Sequence, residues 1–291
     1  MKINRRRFLT ISAAMTATPA LAGHYMWQGR ALGADVSLTI RGRQDVAEQA
    51  LRDTRVALTE IERLFSLYDT ASDLVQLNNA GALEAPDERF LDLIRIADRG
   101  HKITDGLFDP TVQALWRALA QGHDSTDARA AVGWDRVRFD PARIVLGGGQ
   151  ALTFNGIAQG FATDVITAYF VDFGLTETLV NIGEYRALGG PWRLAINDPK
   201  HGTLGARTLQ GHAIATSSPD ALLLGAVAHI LHPSAVPQWS TVSVEADTAA
   251  LADCLSTGLC MATLDQIERA RSTPEVRRIT LVDFEGNLRS L

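Results

Sequence analysis

The feature that most constrains the fold is a group of strand-like segments in the second half of the sequence. Glycine and proline interrupt them, as is usual at turns, and they occupy residues 177–190, 192–198, 206–218 and 228–233. An alternating strand at 240–247 and a closing hairpin at 276–291 come later. Helices and antiparallel-type strands in separate blocks predict an α+β fold rather than a doubly wound parallel sheet.

Helical patterns account for most of the remaining sequence. Apolar residues recur at intervals of three and four in 45–68 and in 86–104, and the second helix is expected to begin at Pro86. Shorter helices are predicted at 72–81, 111–122, 161–174, 248–262 and 264–272. A chain of 291 residues with 46% hydrophobic content can bury a full core. No linker divides it, so we expect residues 23–291 to form one domain.

The first 22 residues have the pattern of an export leader. A cationic start, Arg5-Arg6-Arg7, is followed by a weakly apolar stretch and by Ala20-Leu21-Ala22, an A-x-A cleavage site. The arginines also fit the twin-arginine export pattern. We therefore predict that residues 1–22 are a twin-arginine-type signal peptide and that the protein acts in the periplasm. The alternative is a basic amphipathic start to a cytoplasmic domain.

The charge balance excludes one class of partner. Without residues 1–22 the chain has 24 basic and 33 acidic residues, a formal charge of −9. A nucleic-acid-binding protein needs a basic face, so we expect no nucleic-acid partner.

The two cysteines are not expected to pair. Cys254 and Cys260 lie six residues apart in one predicted helix, which separates their Cα atoms by about 9 Å. That distance is beyond the reach of a disulfide.

Two local patterns are candidates for holding a metal ion and a phosphate. Asp253 and Thr257 are four residues apart in a predicted helix, so a carboxylate and a hydroxyl project from one face as oxygen ligands for a small divalent cation. The alternative is that Asp253 only caps a helix. The stretch TFNGIAQGFATD, residues 153–164, is a strand-to-helix junction whose glycines admit a phosphate or metal close to the backbone. It has no Walker or G-x-G-x-x-G spacing, so a plain turn is the alternative.

The histidines and serines near residue 220 give weaker signals. In an extended strand His229 and His232 would face opposite sides, which disfavours a two-histidine zinc site. Ser217 or Ser218 with His229 as base would suggest a hydrolase, but no G-x-S-x-G elbow surrounds them. A lone apolar-flanked histidine such as His229 is more often a core residue.

Taken in order, the segments resemble the FAD:protein FMN transferases, the ApbE family. The similar segments cover nearly all of residues 23–291 and are ALGADVSLTI, FSLYDTASDLVQLNNAG, TDGLFDPTV, NGIAQGFATD, LVNIGEYRALG, AIATSS, AHILHP and TVSVEADTAALADCLST. The pair NGIAQG and GEYRALG, with the twin-arginine leader, is most similar to the NosX-like branch.

The resemblance implies both a fold and a reaction. The fold would be α+β and T-fold-related, with mixed or antiparallel sheets packed with helices and the FAD site between two intimate lobes. The reaction would be Mg²⁺-dependent transfer of FMN from the substrate FAD to a threonine hydroxyl of an acceptor protein, releasing AMP, with Mn²⁺ as the alternative ion. In the NosX-like branch the acceptor serves nitrous oxide respiration, and a membrane-bound NosR-like flavoprotein is the candidate. Such phosphoryl transfer depends on positioning and charge neutralisation.

The resemblance also implies roles for individual residues. His229 would be the general base for the acceptor threonine. The metal positions would be Gly156 (through its carbonyl), Asp253, Ser256 and Thr257. The FAD-contacting positions would be Leu32, Tyr68, Leu107, Phe108, Asp109, Thr153, Gln159 and Leu231.

The chain departs from the family pattern at several positions. The family's Asp-Pro-x-Thr-Gly segment is here His232-Pro233-Ser234-Ala235-Val236, and ATSSPD lacks the usual glycine. Leu32, Thr153 and Gln159 stand where methionine, aspartate and lysine are common. The departure at residues 232–236 favours a second hypothesis, a non-catalytic exported FAD-binding or flavin-delivery protein with a degenerate site. A third is a periplasmic protein on this fold without flavin.

Overall fold

The computed structural model describes residues 23–291, and the predicted leader, residues 1–22, lies outside them. Its helices are α1 (Gln44–Phe65), α2 (Asp73–Ala80), α3 (Glu88–Ile103), α4 (Gln113–Gln121), α5 (Thr126–Ala130), α6 (Ala158–Asp172), α7 (Ala249–Leu259) and α8 (Leu264–Arg271). Its strands are β1 (Gly23–Ala31), β2 (Ala34–Gly42), β3 (Ala82–Glu84), β4 (Arg138–Phe139), β5 (Arg143–Val145), β6 (Thr178–Ile182), β7 (Tyr185–Leu188), β8 (Trp192–Asp198), β9 (Gly202–Leu209), β10 (Ala213–Ser217), β11 (Leu223–Leu224), β12 (Val227–Ala228), β13 (Thr241–Ala246), β14 (Val276–Val282) and β15 (Leu288–Ser290).

One large sheet organises the described chain. Its strand order is β1-β2-β6-β7-β10-β13-β14-β15, and every neighbouring pair is antiparallel. Smaller sheets are formed by β3-β5-β4, by β8-β9 and by β11-β12. The predicted α+β class and its antiparallel sheets are confirmed.

The two faces of the large sheet are covered differently. In β6, Val180 and Ile182 belong to the main core, whereas Leu179 belongs to a second apolar cluster with Trp192 and Leu194 of β8. Because successive side chains of a strand point to opposite faces, helices cover one face and the β8-β9 hairpin covers part of the other.

Helix α7 is the central helix of the main core. It contacts α3, α6, β10 and β13, and ten of its eleven residues are buried. A helix that is apolar all round is stable only when it is enclosed in this way. Asp253 lies in the middle of this helix, so the core fixes its position.

Most predicted elements are confirmed, with local differences. Helix α3 begins at Glu88 rather than Pro86, because the side chain of Asp87 caps it by accepting the N–H of Arg89 at 2.9 Å. The predicted strand at 228–233 is wrong. Only Val227 and Ala228 pair, with Leu224 and Leu223, and one further bond follows, from the N–H of His229 to the carbonyl of Leu222. Within residues 23–291, no helix combines the length and apolarity needed to cross a membrane.

Candidate functional site

A large cavity lies where the helices meet the large sheet. Its volume is about 1590 Å³, above the range of roughly 300–1000 Å³ usual for small-molecule sites. The helical side contributes residues 65–68, the 107–112 loop and the turn before α6. The sheet side contributes the β1-β2 and β6-β7 turns, the β8-β9 hairpin and residues 221–231. The cavity has room for a dinucleotide and for part of a second reactant.

Three of the four predicted metal positions come together in this cavity. Asp253 and Thr257 line it from α7, and Gly156 lines it from the turn before α6. A Cβ atom on Gly156 would lie 2.8 Å from Oγ1 of Thr257 and 2.9 Å from its Cγ2. Only a glycine allows this close approach, which sets the backbone of the turn beside the two α7 side chains.

Asp253 is both a cap and a cavity residue. Its side chain is 3% exposed, and Oδ2 accepts the N–H of Gly160 at 3.0 Å. That N–H belongs to the first turn of α6, which has no side-chain cap of its own. One carboxylate oxygen of Asp253 therefore does cap a helix, but the helix is the neighbouring α6 and not its own helix α7. Burial raises the pKa of Asp253 to about 7.

Ser256, the fourth predicted metal position, does not line the cavity. It is fully buried, and its hydroxyl lies 2.7 Å from that of Ser217 and donates to the carbonyl of Asp253 at 3.0 Å. Ser256 follows Asp253 by three residues, so its side chain is rotated about 60° from that of Asp253 around the helix axis. The rotation is in the direction opposite to that of Thr257. Ser217 takes its place at the cavity, with its hydroxyl 3.2 Å from Oγ1 of Thr257.

The donor set fits a hard divalent cation that also binds phosphate. Residues 23–291 contain no group of three or more His, Cys, Asp or Glu placed to hold a metal. A closed zinc site needs four such ligands, so the described residues do not form one. Mg²⁺ instead takes one or two carboxylates and completes its shell with water and phosphate oxygens. Among the described residues that line the cavity, Arg30 is the only Arg or Lys. Six lining residues are carboxylates: Asp35, Glu62, Asp109, Glu184, Asp198 and Asp253. A pyrophosphate in this cavity would meet little positive side-chain charge, and a bound cation would supply it.

Gln159 connects three elements around the cavity. It lies in the first turn of α6, and its Nε2 is 3.4 Å from the carbonyl of Leu32 in the β1-β2 turn. A Cβ atom on Gly183, which has φ +93°, would lie 2.4 Å from Oε1 of Gln159. The β1-β2 turn is also held by Glu62, whose Oε1 accepts the N–H of Leu32 at 2.8 Å. Leu32 has φ +50°, which is uncommon outside glycine.

The other predicted FAD positions also line the cavity, namely Tyr68, Leu107, Phe108, Asp109, Thr153 and Leu231. Asp109 is buried, and its carboxylate accepts the N–H and hydroxyl of Thr111 at 2.8 and 2.6 Å and the N–H of Trp134 at 3.2 Å. These bonds shape the 107–112 loop, so its backbone and apolar side chains are the parts available to a ligand.

The imidazole of His229 is oriented by two carbonyl groups. Nδ1 lies 2.8 Å from the carbonyl of Pro219 and 3.1 Å from that of Leu222. A carbonyl only accepts, so Nδ1 carries the proton and Nε2 is the basic nitrogen of the neutral ring. Burial lowers the pKa of His229 below its ordinary value. His229 is thus neutral at physiological pH and lines the cavity.

The hydrolase interpretation is not supported by the serine contacts. Ser217 is hydrogen-bonded to the hydroxyls of Ser256 and Thr257, and Ser218 to the hydroxyl of Thr241 at 2.7 Å. In the described chain neither serine has an imidazole as hydrogen-bond partner.

The departing segment 232–236 still forms a defined turn. Nδ1 of His232 accepts the N–H of Ser234 at 3.2 Å and of Ala235 at 3.1 Å, the local bonding that an aspartate makes in an Asx-turn. Arg129 also donates to the carbonyl of Pro233. His232 therefore supplies the side-chain acceptor of this turn.

Two cavity residues were missed by the sequence interpretation. Ser217 was considered only as a nucleophile, and Glu184 only as part of a strand. The signal for Glu184 was a single carboxylate in the apolar hairpin 178–188, directly after Gly183. Burial, and then the charge of Asp253, raises the pKa of Glu184 well above its ordinary value.

Known proteins share this fold and family. The structure of the flavin transferase ApbE from Vibrio cholerae has a TM-score of 0.82 and 20% identity, covering 93% of this chain and 97% of its own. The ApbE protein from Thermotoga maritima has a TM-score of 0.81 and 24% identity, covering 92% and 96%. These similarities show an ApbE-type fold. The ApbE family model matches residues 32–279, and the chain belongs to the ApbE family, as its segments predict.

Two curated relatives carry the description FAD:protein FMN transferase. The protein from Rhodobacter capsulatus is 28% identical over 251 residues, 74% of this chain and 47% of its own length. The protein from Vibrio cholerae is 27% identical over 212 residues, 59% of this chain and 60% of its own length. The chain thus spans about half the length of these relatives. Neither distinguishes the NosX-like branch, which stays a prediction.

Proposed function

We propose that this protein transfers FMN from FAD to a threonine hydroxyl of another protein in a divalent-cation-dependent reaction. The observation that carries the proposal is the meeting of Gly156, Asp253 and Thr257 at the wall of a cavity that also contains His229. The cavity is large enough for FAD. Two relatives of the protein are described as FAD:protein FMN transferases.

The residues that would hold the cation are Asp253, Thr257 and the backbone carbonyl of Gly156. Mg²⁺, or Mn²⁺ as the alternative, would neutralise the FAD pyrophosphate and so favour departure of AMP. The first turn of α6 adds the positive end of a helix dipole next to the same place. The N–H groups of Ala158 and Gly160 in that turn are already bonded to Phe154 and Asp253.

His229 would accept the proton of the acceptor threonine at Nε2. The threonine oxygen forms a bond to the phosphorus of the FMN half, and the bond from that phosphorus to the bridging oxygen breaks. AMP leaves with the bridging oxygen, and His229 returns its proton to solvent. The neutral state of His229, enforced by burial, suits this role.

We further propose that the reaction takes place in the periplasm after twin-arginine export. The support is the sequence pattern of residues 1–22. The acceptor would then be a periplasm-facing respiratory protein, with a NosR-like flavoprotein of nitrous oxide reduction as the candidate.

One specific observation favours a second function, non-catalytic FAD binding or delivery. The segment 232–236 lacks the aspartate, threonine and glycine of the family pattern. The turn made by His232 restores the local bonding of the aspartate but supplies neither the threonine hydroxyl nor the glycine.

A transfer assay separates these two functions. The purified protein is incubated with FAD, Mg²⁺ and an acceptor domain, and flavin fluorescence is recorded on the acceptor after denaturing electrophoresis. Transferase activity predicts a fluorescent acceptor, which disappears when its threonine is replaced by alanine. Asp253→Ala should abolish the signal, whereas Asp265→Ala, at an exposed position of α8, should not. Tight FAD binding without covalent flavin would favour the delivery function.

A further inference from the structure

Glu184 is a buried acid whose side chain reaches the same cavity as Asp253. It follows Gly183 in the tight turn between β6 and β7, and it is 7% exposed. Its carbonyl accepts the hydroxyl of Thr163 in α6 at 3.1 Å. Its carboxylate Oε2 accepts the N–H of Thr216 in β10 at 3.0 Å. Glu184 is thus held to α6 through its backbone and to β10 through its side chain.

This anchoring places Glu184 beside the candidate cation site. Thr216 immediately precedes Ser217, whose hydroxyl is 3.2 Å from Oγ1 of Thr257. Glu184, Ser217, Thr257 and Asp253 therefore form one group of oxygen donors that faces the cavity.

No basic side chain compensates this pair of acids. Neither Glu184 nor Asp253 takes part in an ion pair within residues 23–291, although other buried or half-buried acids do, such as Asp164 with Arg186 and Glu245 with Arg207. Arg30, at the cavity rim, is paired with Asp35. Buried carboxylates are normally paired with a cation or coordinate a metal ion. A cation bound in the cavity would supply the counter-charge that Glu184 and Asp253 lack.

We infer that Glu184 is a second carboxylate ligand of the cation site, acting with Asp253 either directly or through a bound water. The inference rests on the proposed function in one respect, the identity of the ligand as a divalent cation. One or two carboxylates, completed by other oxygen ligands, are what a protein usually contributes to the coordination of Mg²⁺ or Mn²⁺. A pair that only shares a proton for structural reasons is the competing explanation.

Cation binding tests the inference without reference to flavin transfer. The flavin-free protein is titrated with Mn²⁺ at about pH 8, with and without ADP as the phosphate donor, and free Mn²⁺ is followed by electron paramagnetic resonance. Glu184→Gln is the informative variant, because its amide oxygen still accepts the N–H of Thr216 while the charge is lost. We expect the Kd for Mn²⁺ to rise by about 10- to 100-fold. Asp253→Asn should show a similar or larger loss.

The matched control is Asp35→Asn, which removes a cavity-rim carboxylate whose side chain is 94% exposed. Its Kd should equal that of the unchanged protein. Thermal unfolding gives a second measurement: Mg²⁺ should raise the Tm of the unchanged protein and leave that of Glu184→Gln nearly constant. In chelator, Glu184→Gln should melt no lower than the unchanged protein, which shows that the substitution does not damage the fold.

Two results would overturn the inference. One is Glu184→Gln binding Mn²⁺ as tightly as the unchanged protein, and the other is an unchanged protein that binds no Mn²⁺ in either condition. Failure of the proposed function is distinguishable, since a protein that binds Mn²⁺ through Glu184 and transfers no FMN would refute the transferase and leave this assignment standing.

Discussion

Gly156 and Thr257 are in contact across the site, with the backbone of one against the hydroxyl and methyl groups of the other. The contact joins the turn before α6 to the middle of α7, two segments about one hundred residues apart in sequence. It determines whether the carbonyl of the turn and the ligands of α7 can share one ion.

Gly156→Ala should disturb this contact directly. The new Cβ would lie 2.8 Å from Oγ1 of Thr257, so we expect a loss of about 1–3 kcal/mol in the free energy of unfolding. Displacement of Thr257 should also weaken Mn²⁺ binding by about tenfold or more. Urea unfolding and Mn²⁺ titration measure the two effects. Gly205→Ala is the control, because its Cβ would meet nothing within 4 Å. Equal affinities in the two variants would contradict the proposed shared site.

The contribution of Asp253 to the stability of the metal-free protein should fall as the pH rises from about 4 to about 7. Burial raises the pKa of Asp253 to about 7 from an ordinary 3.8. Between these values the folded protein keeps a proton that the unfolded chain has released, so the free energy of unfolding falls with increasing pH. Asp253→Asn removes this contribution and should have a flatter profile. Urea unfolding in chelator at several pH values provides the test, and identical slopes would show that Asp253 is charged in the folded protein.

His229→Asn should slow FMN transfer by about 10²–10⁴-fold, the usual range for a lost general base, with little change in FAD affinity. In the unchanged protein the rate should be constant around neutral pH. The rate should decline only at a pH below 6.5, the ordinary pKa of histidine, because burial lowers the pKa of His229. Single-turnover transfer at several pH values measures this, with His123→Asn, at an exposed site, as the control. An unchanged rate in His229→Asn would remove His229 from the mechanism.

His232→Asp should preserve the turn at 232–236, whereas His232→Ala should weaken it. The imidazole accepts two backbone N–H groups, and a carboxylate can accept the same two. Loss of both bonds in the alanine variant should cost about 1 kcal/mol, since this turn is partly exposed. Urea unfolding and the transfer assay compare the three proteins. If the aspartate variant is the less stable of the two, His232 does not serve as the acceptor of this turn.

Locally encoded features were predictable from the sequence. Ser72 and Gly81 delimit α2 as expected: the Ser72 hydroxyl accepts the N–H of Val75, and Gly81 ends the helix with a left-handed backbone. The pairing of Asp253 with Thr257 follows from the helical period alone. The ApbE family and its α+β class were likewise evident, because they depend on the order of many short segments.

Two features depend on contacts outside their own segment. The apolar run at 228–233 has the composition of a strand, but only Ala228 lies in one, and the ring of His229 bonds to the carbonyls of Pro219 and Leu222. Ser256 is adjacent to Thr257 in sequence, yet its hydroxyl is taken by Ser217 of β10. No pattern within either segment reports these partners.

The sequence by itself determined most of the segments that are helices and strands, since the periodicity of apolar residues and the capping side chains act over a few neighbours. Only the tertiary structure decided which oxygen atoms meet. Asp253 caps α6, Gly156 touches Thr257, and Glu184 is held on β10 one residue before Ser217. These contacts arise because the close packing of α6, α7 and the central strands brings remote residues together at one cavity.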